Sequence, residues 1–219
     1  MSDGSSGFSV ARLGRMADVM RGHVEGGEMA GVVTLLCRRD EIHVDAIGAQ
    51  DLATAAPIRR DTIFRIASMT KPVTAAAAMI LVEEAKLRLD DPVDRWLPEL
   101  AARKVLRGIG SPLDDTMPAN RPVTLRDLLT FRLCLGAVMA FPDLYPIQKA
   151  MIDAGLAPGP NPLSLSPDAF MERVGSLPLL HQPGERWMYH TGSDILGVLI
   201  ARAAGTARSA FSRDRPSSS

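Results

Sequence analysis

The first part of the chain alternates between a helical and a strand-like spacing of apolar residues. Between residues 8 and 25 apolar positions recur every three or four residues and stop at two glycines: Val10, Leu13, Met16, Met20 and Val24, then Gly26 and Gly27. Two stretches rich in β-branched residues follow, GVVTLLCR and EIHVDAIG, separated by Arg39 and Asp40. This pattern predicts an antiparallel hairpin over residues 31–48. A third short strand, TIFRIA, is predicted to run into Ser68.

From Ser68 onward the pattern is that of helices and loops. Residues 68–89 are Ala-rich and apolar, and their proline, Pro72, is tolerated only near a first turn. Capping signals predict further helix starts at Asp91-Pro92, at the capping box from Thr124 to Asp127, and at Ser166-Pro167-Asp168 for a helix ending near Gly175. Two more helices are predicted, one from Tyr145 to Gly155 and the apolar SDILGVLIARAAG, which starts at Ser193 and has Gly205 at its C′ position. Convincing strands number about three, whereas sheets usually have four to six. We therefore expect part of a mixed fold whose remaining strands are absent.

Composition and charge remove several classes of function. Lys and Arg together equal Asp and Glu at 25 each, so no basic surface for nucleic acid is expected. No apolar run approaches the ~20 residues of a membrane span, and the N-terminus has no secretory pattern, which predicts a cytoplasmic protein without membrane partners. Cys37 and Cys134 are expected to be buried free thiols, and the four histidines have no metal-binding spacing.

The sharpest chemical signal is Ser68-Met69-Thr70-Lys71. On a helix, residues i and i+3 lie on nearly one face, so a serine hydroxyl and a lysine amine can share a proton if the amine is held neutral. The structural alternative is that Ser68 only caps the helix and Lys71 is solvated, and the four residues alone favour it. The context favours catalysis, because a strand, a sharp turn and an Ala-rich helix would present the serine at a sheet edge.

Three segments extend this signal along the chain: FRIASMTKPVTAAAAMILVEEAKLRLDDPVDRWLPEL, VTLRDLLTF and PGERWMYHTGSDILGVLIARAAG. Together, over residues 10–205, they resemble the serine β-lactamase and penicillin-binding-protein superfamily, most closely the class C β-lactamase-like esterases. The second segment departs from that pattern, since Phe131-Arg132-Leu133-Cys134 stands where His-Thr-Ser-Gly often follows. The third carries Tyr189 where the superfamily has the tyrosine of Tyr-x-Asn.

The resemblance implies an α/β (α+β) fold of the β-lactamase/transpeptidase-like kind, an antiparallel sheet packed by helices beside a mainly helical subdomain. It implies acyl transfer to water, with Ser68 as nucleophile, Lys71 as base and Tyr189 as proton relay, and with no metal or organic cofactor. Tyr189 has a structural alternative, in which its ring simply fills the core. Thr191 replaces the asparagine and could offer substrate one hydrogen bond rather than two, which favours a small-molecule ester over a lactam and a carboxylesterase over a β-lactamase.

The superfamily's third motif is expected to lie outside this sequence. His190-Thr191-Gly192 has matching letters but abuts Tyr189, so we reject it as a chance match. By resemblance the missing strand supplies one oxyanion-hole N–H, opposite that of Ser68. We therefore expect residues 1–205 to form an incomplete domain with C-terminal strands missing, residues 206–219 to be an irregular polar tail, and activity to be weak. The competing hypothesis is an impaired fragment or pseudoenzyme that binds partners.

Overall fold

The structure, a computed structural model, describes residues 7–140, 144–159 and 164–205. The chain divides between Arg65 and Ile66 into two compact units, which are taken here one at a time. The predicted polar tail, residues 206–219, lies outside the described residues.

The first unit is a helix and a small antiparallel sheet. Its elements are α1 (Val10–Glu25), β1 (Gly31–Arg38), β2 (Glu41–Asp51) and β3 (Ala56–Pro57), with sheet order β1-β2-β3. Residues 31 to 38 pair in continuous register with 48 to 41, so the two-residue turn at Arg39 and Asp40 closes the hairpin as predicted. Arg39 takes a left-handed conformation (φ 54°), which such tight turns require.

The predicted strand TIFRIA is wrong. Residues 62–66 have no regular secondary structure, and Ile63 is 97% exposed. A strand forms only when a neighbouring strand satisfies its backbone groups, and none of the described strands pairs with this segment.

The second unit is mainly helical. Its elements are α2 (Thr70–Glu83), β4 (Lys104–Leu106), β5 (Thr116–Pro118), α3 (Leu125–Leu129), α4 (Pro146–Asp153), α5 (Pro167–Ser176) and α6 (Thr191–Ala203), with 3₁₀ turns at Ala67–Met69 and Pro98–Leu100. The five α-helices confirm the helices predicted from apolar spacing and caps. Two bounds differ, since α2 ends at Glu83 rather than near residue 89 and α6 begins two residues before the predicted Ser193. The helix predicted at Asp91-Pro92 is wrong, since only a turn and the second 3₁₀ segment form there. The two-stranded sheet β4-β5 was not predicted.

Helix α6 packs against both α2 and α3. Almost all of the buried apolar side chains among the described residues belong to the second unit, the largest being Leu87, Leu97, Leu100, Leu125, Leu128, Leu133, Leu135, Ile147, Met171, Leu179, Leu180 and Ile195. The close approach of α3 and α6 depends on Gly192, where a Cβ would lie 3.1 Å from the carbonyl oxygen of Leu128. The start of α6 is thereby fixed against α3.

A buried arginine joins two of these elements. Arg103 donates to the carbonyl oxygens of Val174, Gly175 and Leu177 at the end of α5. These are orphan acceptors at a helix C-terminus, so the guanidinium satisfies them as a cap would. Burial lowers the pKa of Arg103 to about 10, which still leaves it charged at neutral pH.

The two cysteines differ in exposure. Cys134 is buried as predicted, but the prediction for Cys37 is wrong, since it lies exposed near the end of β1. The side chains at that end of the strand, from Leu35 on, are open to solvent. Within the described ranges, no helix combines the length and apolar character needed to cross a membrane.

Candidate active site

Ser68 lies at the entrance to α2, in the 3₁₀ turn Ala67–Met69. The residue before it, Ala67, has a left-handed backbone (φ 44°), which costs an L-residue roughly 1–2 kcal/mol. This sharp turn leaves Ser68 exposed immediately before the first turn of the helix. A nucleophile placed there gains from the helix dipole, because the N-terminal end of α2 favours developing negative charge.

Lys71 faces this serine as the i, i+3 spacing predicts. Its Nζ donates to Ser68 Oγ at 3.2 Å, and its side chain is only half-exposed. A proton can move in either direction across such a separation, provided that the amine is neutral when it accepts. Pro72, the third residue of α2, falls within its first turn as predicted.

Tyr189 reaches the same amine from the far end of the chain. Lys71 Nζ lies 4.9 Å from the centroid of the Tyr189 ring, and this tyrosine is half-buried. Its carbonyl oxygen accepts from the N–H of Ala137 at 2.9 Å. The two segments approach so closely that a Cβ on Gly136 would lie 2.6 Å from the Tyr189 carbonyl oxygen. Two segments far apart in sequence, residues 68–71 and the segment that carries Tyr189, thus bring Ser68, Lys71 and Tyr189 together.

Two further rings, which sequence reasoning did not assign to the site, surround Tyr189. Trp187 stacks on it, with centroids 5.6 Å apart and planes at 23°, and Phe131 lies 5.4 Å from it. Phe131 and Trp187 also meet each other edge to face at 6.1 Å. A sequence signal existed for each. Phe131 replaces the histidine expected after the capping-box helix, and Trp187 precedes Tyr189 by two positions.

The start of α6 carries Thr191 and a strained neighbour. His190 has φ 90° and ψ −80°, and its Nδ1 lies 3.1 Å from an Asp194 carboxylate oxygen one turn later. Its ring meets Tyr189 edge to face at 6.2 Å. Thr191, the first residue of α6, is buried, with only 3% of its surface exposed. Its predicted hydrogen bond to substrate stays a prediction.

The capping box of α3 supports the aromatic side of the site. Arg121 forms two hydrogen bonds with Asp127, and the Thr124 N–H donates to the same carboxylate at 2.9 Å. Burial acts to raise the pKa of Asp127, but the hydrogen bonds from Arg121 and Thr124 hold it below its ordinary value. The Phe131 N–H donates to the Leu128 carbonyl oxygen, so Phe131 is held directly at the C-terminal end of this capped helix.

Cys134 is excluded as a competing nucleophile. It has no exposed surface, and burial raises the pKa of its thiol. Its Sγ accepts from the Arg186 N–H and lies 3.1 Å from the Gln182 carbonyl oxygen, so it ties two loops together.

The described residues contain no group of three or more His, Cys, Asp and Glu arranged to hold a metal ion. A shallow cleft of about 460 Å³ is lined by residues 120–121 and 182–185, and it includes none of the three predicted catalytic side chains.

Comparison with known proteins assigns the family. The Beta-lactamase family model matches residues 16–215. Esterase EstB of Burkholderia gladioli is 34% identical over 178 residues, which is 81% of this chain and 42% of EstB. Lovastatin esterase of Penicillium rubens is 32% identical over 201 residues, 88% of this chain and 47% of that enzyme.

Among solved structures, the chain is similar to EstCE1, "a hydrolase with promiscuous acyltransferase activity", with a TM-score of 0.73 and 28% identity. The superposition covers 90% of this chain and 49% of the EstCE1 chain. The chain thus spans slightly less than half the length of these relatives. The predicted β-lactamase/transpeptidase-like fold is confirmed, as is the resemblance to the superfamily of esterases and penicillin-binding proteins. The chain belongs to the Beta-lactamase family.

Proposed function

We propose that the protein cleaves small-molecule esters through a covalent acyl-enzyme on Ser68, as a carboxylesterase. One observation carries the proposal: the Lys71 amine is 3.2 Å from Ser68 Oγ and 4.9 Å from the centroid of the Tyr189 ring. The amine is within hydrogen-bond reach of the hydroxyl nucleophile and lies over the face of the phenol ring. In the proposal, the Tyr189 hydroxyl comes within hydrogen-bond reach of this amine when the proton is passed on.

The proposed reaction has two halves. Ser68 Oγ attacks the ester carbonyl and its proton passes to Lys71, forming a tetrahedral oxyanion. As the bond to the leaving oxygen breaks, Tyr189 donates its proton to the departing alcohol and recovers one from Lys71. Water then attacks the acyl-enzyme carbonyl and gives a proton to the same pair. As the bond from the acyl carbon to Ser68 Oγ breaks, the pair returns that proton to Oγ, which releases the acid and regenerates the free serine. Lys71 is thus base in the first step and proton carrier in every later one.

Two observations favour an ester over a lactam. Thr191 stands where the resemblance to the superfamily places an asparagine, and it is buried at the start of α6. The relatives EstB and lovastatin esterase bear the names of esterases. Thr191 is kept in the proposal as a single hydrogen-bonding group for the substrate.

A fluorophosphonate probe tests the nucleophile. The intact mass of the purified chain should rise by one phosphonyl group, and peptide mapping should place it on Ser68. Ser68→Ala should take up none, while Ser176→Ala, which removes a hydroxyl that only donates to the Arg173 carbonyl of its own helix, should label as the parent does. A folded chain that takes no label on Ser68 would contradict the proposal and favour the binding-protein alternative.

A further inference from the structure

Phe131, Trp187 and Tyr189 form a cluster of three rings beside the Lys71 amine, and the largest of these side chains is the most exposed. Trp187, the largest of the three side chains, is 63% exposed, whereas Phe131 and Tyr189 are half-buried. Exposing apolar surface to water costs roughly 25 cal/mol of free energy per Å². The exposed face of the Trp187 indole would therefore gain free energy by stacking against a flat apolar ligand.

The cluster is held rigidly in place. The Met188 N–H donates to the Phe131 carbonyl at 2.8 Å, so the residue between Trp187 and Tyr189 is tied to the segment carrying the third ring. Met188 itself points inward and is 9% exposed. Because this backbone contact and the ring-to-ring contacts already hold the three side chains together, less ordering of the protein opposes the binding of a ligand that stacks on them.

The position of the cluster relative to the proposed chemistry indicates which part of a substrate meets it. In the proposed reaction the Tyr189 hydroxyl protonates the departing alcohol, so the alcohol leaves beside the Tyr189 side chain. The rings that contact Tyr189 are the apolar groups we place next to that alcohol. Trp187 stacks on that ring, and Phe131 closes the adjoining edge.

We propose that Trp187 and Phe131 form a leaving-group subsite that selects esters of aryl-bearing alcohols over esters of small alkyl alcohols. This inference rests on the proposed function for its orientation, but the binding surface itself does not require turnover. The flat face of the exposed indole accepts the aromatic ring of the alcohol, and Phe131 supplies the edge that an aromatic ring prefers to meet.

The first test compares two esters that share one acyl group, benzyl acetate and ethyl acetate. Both form the same acetyl-enzyme, so a subsite for the alcohol changes kcat/KM, which reports acylation, and leaves a deacylation-limited kcat equal for the two. Trp187→Leu should lower the benzyl-to-ethyl ratio of kcat/KM about three- to tenfold. Trp187→Phe should retain most of the ratio, because a ring remains.

The chain offers a matched control in its second tryptophan, Trp96, whose ring contacts Arg95. Trp96→Leu should leave the ester ratio unchanged. The subsite is contradicted if Trp187→Leu keeps the parent ratio, or if Trp187→Phe loses as much of it as Trp187→Leu does.

A binding measurement separates failure of the subsite from failure of the catalytic proposal. In Ser68→Ala, which cannot form an acyl-enzyme, the two indole N–H signals in a ¹H–¹⁵N spectrum are assigned with Trp96→Phe. Titration with benzyl alcohol should shift the Trp187 signal saturably and leave that of Trp96 in place, and ethanol should shift neither. A saturable Trp187 shift without ester turnover supports the subsite against the proposed reaction. No shift overturns the subsite.

Discussion

At the scale of single residues, the account depends on one amine serving two partners. Lys71 lies three residues after Ser68, across the junction between the 3₁₀ turn and α2, and this contact follows from helical geometry alone. Its contact with Tyr189 is different in kind, because it joins residues 118 positions apart through the tertiary fold. The first contact could be predicted from the sequence, while the second was available only through resemblance.

Replacing the amine by a guanidinium tests its role as base. An arginine cannot give up its proton at ordinary pH, so Lys71→Arg should be almost as damaging as Lys71→Ala, with kcat/KM lowered at least about 10²-fold in both. Lys86→Arg is the control, since Lys86 is a half-exposed partner of Glu84 outside the site and should keep full turnover. Substantial ester hydrolysis by Lys71→Arg would remove Lys71 from the role of base.

Removing a single oxygen tests Tyr189. Tyr189→Phe keeps the ring and its contacts with Trp187 and Phe131, so the melting temperature should stay within about 2 °C of the parent. The kcat should fall about 10²–10⁴-fold, as expected for loss of a general acid–base group. Tyr145→Phe, at the other tyrosine of the chain, should retain activity per folded molecule. A Tyr189→Phe protein that melts early but turns over normally would show a structural tyrosine.

At the scale of elements, the site depends on the close contact between two segments, residues 131–137 and 184–190. The Met188 and Ala137 N–H groups donate across this gap, at 2.8 and 2.9 Å. The capped helix α3 anchors one side through Asp127, and α6 begins on the other. Two substitutions outside the catalytic set therefore test whether this framework positions the tyrosine.

Gly136→Ala should disturb the framework directly. An added Cβ would lie 2.6 Å from the carbonyl oxygen of Tyr189 and 2.9 Å from that of Met188, so the backbone must shift. We expect a loss of about 1–3 kcal/mol in the free energy of unfolding, together with lower turnover per folded molecule.

The matched control is Gly197→Ala within α6, where a Cβ meets nothing within 4 Å. It should raise the unfolding free energy by about 0.5–1 kcal/mol and leave turnover unchanged. Unaltered activity and stability in Gly136→Ala, measured by denaturant titration and ester hydrolysis, would contradict the close approach.

Asp127→Asn gives the pH dependence of the α3 cap. Because the hydrogen bonds from Arg121 and Thr124 lower the pKa of Asp127 in the folded state, the carboxylate stabilises the fold above its unfolded pKa of about 4. That stabilisation is lost as the pH falls through the lower folded value. The free energy of unfolding of the parent should therefore exceed that of Asp127→Asn by about 1.5–3 kcal/mol near pH 7, and this difference should become smaller below pH 4.

Urea titrations from pH 3 to pH 7 measure this gap. Asp153→Asn, which removes an exposed carboxylate paired with Lys149, should differ little from the parent throughout. A gap for Asp127→Asn that stays constant, or widens toward acid, would contradict the assignment.

Elements could be predicted where the signal is local. The two-residue turn at Arg39, the capping box at Thr124 and the proline start at Pro167 act within one turn of the chain, and all three form as expected. The strand predicted over TIFRIA was wrong because strand formation depends on a partner that is distant in sequence. The pairs in β4-β5 involve three residues on each side, too short for any periodicity to be read.

The aromatic cluster was missed for a related reason. Phe131 and Trp187 lie 56 positions apart, and only the fold places both against Tyr189. Local spacing indicates that Trp187 lies near Tyr189, but it cannot indicate that Phe131 contacts both of these rings.

At the scale of the whole molecule, family membership and fold are established, while the chemistry of this chain is the proposal. The chain spans 42% of EstB and 49% of EstCE1, yet the residues proposed for the acyl-enzyme all fall in its second unit. Ser68, Lys71 and Tyr189 can therefore be tested in this polypeptide as it stands.

The most direct test is to catch the acyl-enzyme during turnover. The chain is mixed with p-nitrophenyl acetate, quenched in acid and weighed intact, on a Cys37→Ser background so that the exposed thiol cannot be acetylated. We predict one acetyl group per molecule at steady state, mapped to Ser68, that decays once the ester is consumed and is absent in Ser68→Ala. Turnover with no acetyl group on Ser68, or with the acetyl group on another residue, would contradict the account.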